Sequence, residues 1–259
     1  MNRTTVRTRL SAAVVAGGLA MAVAAAGPAF AAGTPTATAT TAPKAAGRVT
    51  ARRQRCETAI TRRLSSIATA TGAVQGAAHL TAADQSALLT QIGSEKTGLT
   101  GLGEKISGDT DVATLRSDCK NIVADYHWFI IGLPKVHLTI AADDSLAIVK
   151  TLDDLASRLQ ADIVRAQQRG LDVSQAQADE NSLTAAVTSG LNAAPPVPAS
   201  VLALAFNNWP AAQPVLKSGR TRLGNARSDF QQARADAKKV VADLRARSAT
   251  PSPVTGTTH

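Results

Sequence analysis

Residues 111–133 read DVATLRSDCKNIVADYHWFIIGL. Within them Val112, Leu115, Cys119, Ile122, Tyr126, Phe129 and Leu133 recur at alternating steps of three and four. An α-helix turns once every 3.6 residues, so these side chains share one face. The spacing predicts a helix over 111–132 with a heptad-like apolar seam. Cys119 lies on that seam, and His127 and Trp128 fall beside or outside it.

The same periodicity extends in both directions. Cys56, Ile60, Leu64, Ile67 and Val74 mark a helix over 49–75. Thr81 reads as an N-cap, with Asp84 three residues later. The helix over 82–107 then buries Leu88, Ile92, Leu99, Leu102 and Ile106. Gly93, Gly98, Gly101 and Gly103 cost helix stability, and their presence predicts a close helix crossing rather than a break near residue 98. Pro134 stops one helix or opens the next. Val136, Ile140, Ile148, Leu152, Leu155, Leu159, Ile163 and Ala166 carry a helix over 135–169, closed by Gly170. A shorter helix spans 174–190. The Pro-rich stretch 192–200 reads as a connection, followed by a short helix over 200–208 that Trp209-Pro210 closes. A last helix spans 214–247 through Leu216, Leu223, Phe230, Ala237, Val241 and Leu244. No strand-like alternation competes. The expected fold is all-α, an elongated antiparallel helical bundle with coiled-coil-like packing. Its four-helix core is 49–169, with the helices of 170–248 packing on or extending it.

The chain has two cysteines, Cys56 and Cys119, each on an inward stripe of a different helix. In an up-down bundle the first and third helices lie side by side, so a disulfide is the simplest reading. Two buried free thiols are the alternative; two distant cysteines bring no evident partners for a metal site.

The N-terminus explains why a disulfide belongs here. Arg3, Arg7 and Arg9 precede an uncharged apolar run over 10–26, and Ala29-Phe30-Ala31 follows Pro28. This is the pattern of a secretory signal over 1–31, cleaved after Ala31; an uncleaved anchor is the alternative. The expected location is therefore secreted or extracytoplasmic and associated with the cell wall, with no transmembrane segment in the mature chain. Residues 32–48 read as a disordered Thr/Ala/Pro linker and 249–259 as a disordered tail. Removal of the signal takes away three arginines and no acid, so the formal charge falls from +9 to +6. That balance favours an anionic cell-wall polymer and makes nucleic acid an unlikely partner for an exported chain.

No catalytic constellation stands out, and the chain is read as not an enzyme. The doublets Asp143-Asp144 and Asp153-Asp154 lie about 15 Å apart along one helix, too far for paired glycosidase carboxyls, and read as solvated face residues. His127 and His137 flank Pro134 without a recognised ligand spacing, so no metal and no cofactor is expected. Arg220, Arg222, Arg227, Arg234, Lys238 and Lys239 mix evenly with acids along the last helix and read as a solvated face. The candidate interaction residues are Trp128 as an aromatic anchor, His127, Trp209, and the basic patch Arg52, Arg53 and Arg55.

The runs Cys56-Glu57-Thr58-Ala59-Ile60, Leu80-Thr81-Ala82-Ala83-Asp84, Thr110-Asp111-Val112-Ala113-Thr114-Leu115 and Leu133-Pro134-Lys135-Val136 together resemble uncharacterised exported helical proteins of actinomycete-type bacteria. The resemblance implies an envelope or secreted helical protein and carries no activity with it. Two functions are then expected. The first is a non-catalytic structural or interaction protein of the cell envelope, acting through its helical surfaces on a protein partner or by self-association. The alternative is an extracellular binding module for an amphiphilic ligand or an anionic wall polymer. It needs an apolar-lined groove or a continuous basic stripe.

Overall fold

The computed structural model describes residues 41–249. The expected signal, the linker as far as residue 40 and the tail from residue 250 lie outside the described residues. Among the described residues seven α-helices occur in the order α1 (Thr41–Gly76), α2 (Ala82–Gly108), α3 (Val112–Ala124), α4 (Leu133–Gln168), α5 (Ser174–Ala193), α6 (Pro196–Leu202) and α7 (Trp209–Ala249). A π-helical turn, Trp128–Gly132, leads into α4. The fold is all-α, and the helices pack as a bundle; among the described residues there is no strand.

Local chemistry accounts for several helix ends. Thr81 caps α2, its hydroxyl accepting the Asp84 N–H at 3.1 Å. Asp111 caps α3 in the same way, accepting the Thr114 N–H at 2.8 Å. Each cap satisfies a donor that the first turn leaves unpaired. At the end of α4, Gly170 has φ 78° and Leu171 N–H donates to Ala166 O at 3.2 Å. This is a Schellman-type stop, and glycine meets its left-handed φ without a Cβ penalty.

Several helix boundaries differ from the periodicity. Residues 41–48, expected in the linker, are the opening of α1. The connection expected over 192–200 holds the end of α5 and the start of α6, which continues to Leu202. Pro196 and Pro198 sit in its first turn, where a helix needs no N–H donor, so proline is tolerated. Trp209-Pro210 opens α7 instead of closing a short helix, for the same reason.

The largest correction concerns the deciding stretch itself. The expected helix over 111–132 ends at Ala124, and residues 125–127 are not helical. In the π turn the His127 carbonyl accepts from both Ile131 N–H at 2.8 Å and Gly132 N–H at 3.4 Å. The break and the wider turn shift the register of the apolar face. Trp128 is thereby turned fully inward at 0% exposure and Phe129 outward at 46%. The seam predicts the reverse for both.

Two groups of helices share α4. Near the disulfide, Ile60, Leu102, Ile106, Leu115 and Ile122 join α1, α2 and α3. Beside them Ile67, Val74, Leu88, Ile92, Leu99, Trp128 and Val136 form the middle of the core. The second half of α4 instead packs with α5 and α7 through Leu152, Leu159, Ile163, Leu183, Val187, Phe230 and Val240. A further cluster, Leu138, Ala142, Val197, Val201, Ala212 and Leu216, ties α6 and the start of α7 to α4. The helices after residue 169 pack on α4 of the expected core. One 36-residue helix serves both ends, because its apolar stripe runs unbroken past residue 150. Residues 41–249 lie in one compact unit.

Candidate functional site

A groove runs between α4 and α7. Its volume is about 780 Å³, within the range of small-molecule sites. Phe129, Leu133, Leu138, Ile148, Leu223 and Phe230 supply its apolar lining. Arg220, Arg227 and Arg234 stand along it on α7, with His137, Asp144 and Gln231 as further polar groups. A second depression of about 600 Å³ shares Asp144, Ile148 and Arg234 and carries the groove on to Leu155. From Leu133 to Leu155 the helix rises roughly 33 Å.

The three arginines recur at seven-residue steps, which on a helix places them in one line. All three are exposed. None forms an ion pair with a described residue. At the Phe129 end of the groove the Arg63 guanidinium lies 5.4 Å from the Phe129 ring centroid. Burial lowers the Arg63 pKa, and the group stays a cation. The floor is thus apolar and the rim cationic, with Asp144 the acid that lines it.

A different depression, about 940 Å³, lies between Leu159 of α4 and Val241 and Leu244 of α7. There Arg165 is already paired with Asp162, so less of its charge is left for a ligand.

A fourth depression, about 780 Å³, lies at the disulfide end. Cys56 and Cys119 are bonded, joining α1 to α3. Arg48, Arg52 and Arg55 approach the groove from α1 and Arg116 from α3. Arg53 turns away and donates to the Asp109 carbonyl. The expected trio Arg52, Arg53 and Arg55 is therefore split between two surfaces. Successive α-helical residues diverge by about 100°, so Arg53 cannot share the face of Arg52.

Of the aromatic candidates, Trp128 is fully buried. Trp128 Nε1 donates to Ser66 Oγ at 2.9 Å, and its ring stacks on Phe206 with centroids 6.3 Å apart. An exposed anchor is excluded for it. His127 Nδ1 lies 2.9 Å from the Phe206 carbonyl oxygen. His137 is exposed in the groove instead. Trp209 is half-buried against the α6–α7 cluster.

Periodicity misses a polar centre beneath Phe206. Lys135 is 1% exposed. Its Nζ donates to Gln91 Oε1 and to Leu204 O, both at 2.6 Å, and to Leu202 O at 3.4 Å, and lies 4.4 Å from the Phe206 ring centroid. Glu95 is buried nearby, with one carboxylate oxygen lacking a hydrogen-bond partner. Burial raises Glu95 to about 7, while the Lys135 charge pulls it down. Burial lowers Lys135 to about 8, while the Glu95 charge pulls it up. Burial first, then the nearby Glu95 and Asp125 charges, also raise the Tyr126 hydroxyl. This centre fastens the segment between α6 and α7 to α2 and α4. Asp143, expected on a solvated face, is buried as well and accepts the Thr81 N–H at 2.8 Å. It joins α4 to the start of α2.

Among the described residues no group of three metal-binding side chains comes together, and no helix is long and apolar enough to cross a membrane. No family model matches the chain, and no curated protein or solved structure matches it either.

Proposed function

We propose that this protein is an extracytoplasmic binding module that holds an anionic amphiphile along the α4–α7 groove. The observation that carries the reading is the pairing of an apolar floor with three unpaired, collinear arginines. A single alkyl chain leaves water against Leu133, Ile148, Leu223 and Phe230, and each buried CH₂ contributes about 0.8 kcal/mol. A phosphate or carboxylate head at the rim accepts from Arg220, Arg227 or Arg234 through charge-assisted hydrogen bonds. The work is capture without covalent change. The Cys56–Cys119 bond and the export-like N-terminal sequence support a location where disulfides persist. A contact role through Trp128 loses its anchor, because that ring is buried.

Calorimetric titration below the micelle concentration tests the proposal, with dodecyl phosphate and uncharged dodecyl maltoside as probes. Saturable binding of the phosphate, weakened about tenfold by Arg227→Ser and greatly reduced for the maltoside, is the expected result. Equal affinity for both probes, or no saturation by either, refutes it.

A further inference from the structure

We infer that the disulfide end of the protein carries a second, separate site, a cleft for a linear polyanion with repeated phosphate groups. The sequence places Arg48, Arg52 and Arg55 at steps of four and three, so they line one face of α1. Their Cα positions rise by about 10 Å from the first to the last. Arg116 faces them across the cleft from α3. None of the four forms an ion pair with a described residue, and no acidic side chain lines the cleft.

Gathering four like charges repels, and like charges three or four residues apart on a helix destabilise it. No acid on this face offsets the four charges. Arg53 is engaged elsewhere through Asp109, and Glu57 accepts from Ser107 of α2. A ligand of matching length and opposite charge removes the repulsion. Guanidinium groups bind phosphate oxygens in a planar, bidentate manner. One phosphate does not span about 10 Å of helix, which is why a polymer or oligomer fits and a single ion does not.

The Cys56–Cys119 bond belongs to this cleft. Both cysteines line it, and the bond fixes α3, with Arg116, against the arginine face of α1. The spacing between the two rows of charge is set by a covalent link. The cleft shares no lining residue with the α4–α7 groove, so the two sites stand or fall separately.

The test uses the disulfide-bonded protein and short-chain inorganic polyphosphate, with polyglutamate as a carboxylate polyanion and single-stranded DNA as a nucleic-acid control. Affinities are read by calorimetry over a range of salt. Polyphosphate should bind saturably at about 0.15 M salt, more tightly than either control. Arg52→Ser and Arg116→Ser should each weaken it about tenfold and lower the slope of log affinity against log salt by about one. Arg222→Ser, an exposed change on α7, should leave affinity unchanged. All three positions are surface positions, so folding is checked by circular dichroism and retained. Dodecyl phosphate should not compete. The inference is overturned by an absence of saturable binding, by equal or tighter binding of polyglutamate or DNA, or by arginine variants that bind like wild type.

Discussion

The Lys135 ammonium donates to the Leu204 carbonyl at 2.6 Å, across 69 positions of sequence. A buried cation thus closes the segment between α6 and α7 onto α4. The same group holds Gln91 of α2, so three parts of the fold converge on one nitrogen.

Replacing that cation should cost more than its charge. Lys135→Met keeps most of the volume but leaves Leu204 O and Gln91 Oε1 without this donor. Unsatisfied buried acceptors destabilise by about 1–3 kcal/mol each, offset in part by removal of a desolvated charge. The expected net loss is about 2–3 kcal/mol, read from urea unfolding. A variant as stable as wild type would show that the network contributes nothing.

The pair also predicts a pH dependence. Glu95 titrates at about 7 in the folded protein against 4.5 in the open chain. Between those values the folded state keeps a proton that the unfolded state has released, so stability falls as pH rises. Lys135 titrates at about 8 against 10.5. Between these the unfolded state keeps the extra proton, so stability rises with pH. Glu95→Gln removes the first slope. Relative to wild type the variant should gain about 1–2 kcal/mol between about pH 5 and about pH 7.5. Denaturant midpoints at the two values check this; an unchanged difference between the proteins contradicts it.

Two glycines of α2 should respond with opposite sign. A Cβ on Gly98 would lie 2.6 Å from the Tyr126 hydroxyl oxygen and 2.7 Å from Cε1, whereas one on Gly93 meets nothing within 4 Å. Gly93→Ala should stabilise by up to about 1 kcal/mol through helix propensity. Gly98→Ala should destabilise by about 1–3 kcal/mol through overpacking. Thermal unfolding of the two variants gives the sign directly. A gain at Gly98 would mean that Tyr126 moves aside freely.

The disulfide closes a sequence separation of 63 residues. Loop entropy in the unfolded chain assigns such a link about 4 kcal/mol. The Cys56→Ser, Cys119→Ser double variant should lose that amount and remain helical by circular dichroism. Wild-type stability in the double variant would remove the bond from the account of the fold.

Helix positions and the cysteine pairing are legible in the chain because both rest on a period. Cys56 and Cys119 fall on apolar stripes of helices that a bundle places together, and they are bonded. Thr81 and Gly170 carry their roles in local chemistry and are equally readable. Trp128 and Phe129 exchange faces because a π turn changes register without changing composition. Lys135, Glu95 and Asp143 look like surface charges, since only tertiary packing reveals what surrounds them. The groove was partly visible. Arg220, Arg227 and Arg234 share a seven-residue step beside Leu223 and Phe230, but mixing with Asp229 and Asp236 makes the helix read as uniformly solvated. That α4 lies opposite them depends on long-range packing that no local pattern encodes.

The most direct measurement of the central claim is photo-cross-linking with an alkyl phosphate that carries a diazirine at its chain end, followed by peptide mapping. Labelled peptides should come from the groove faces of α4 and α7, around Leu133, Ile148, Leu223 and Phe230, and excess dodecyl phosphate should suppress the label. Label spread over unrelated helices, or label that competitor leaves untouched, would contradict capture in this groove.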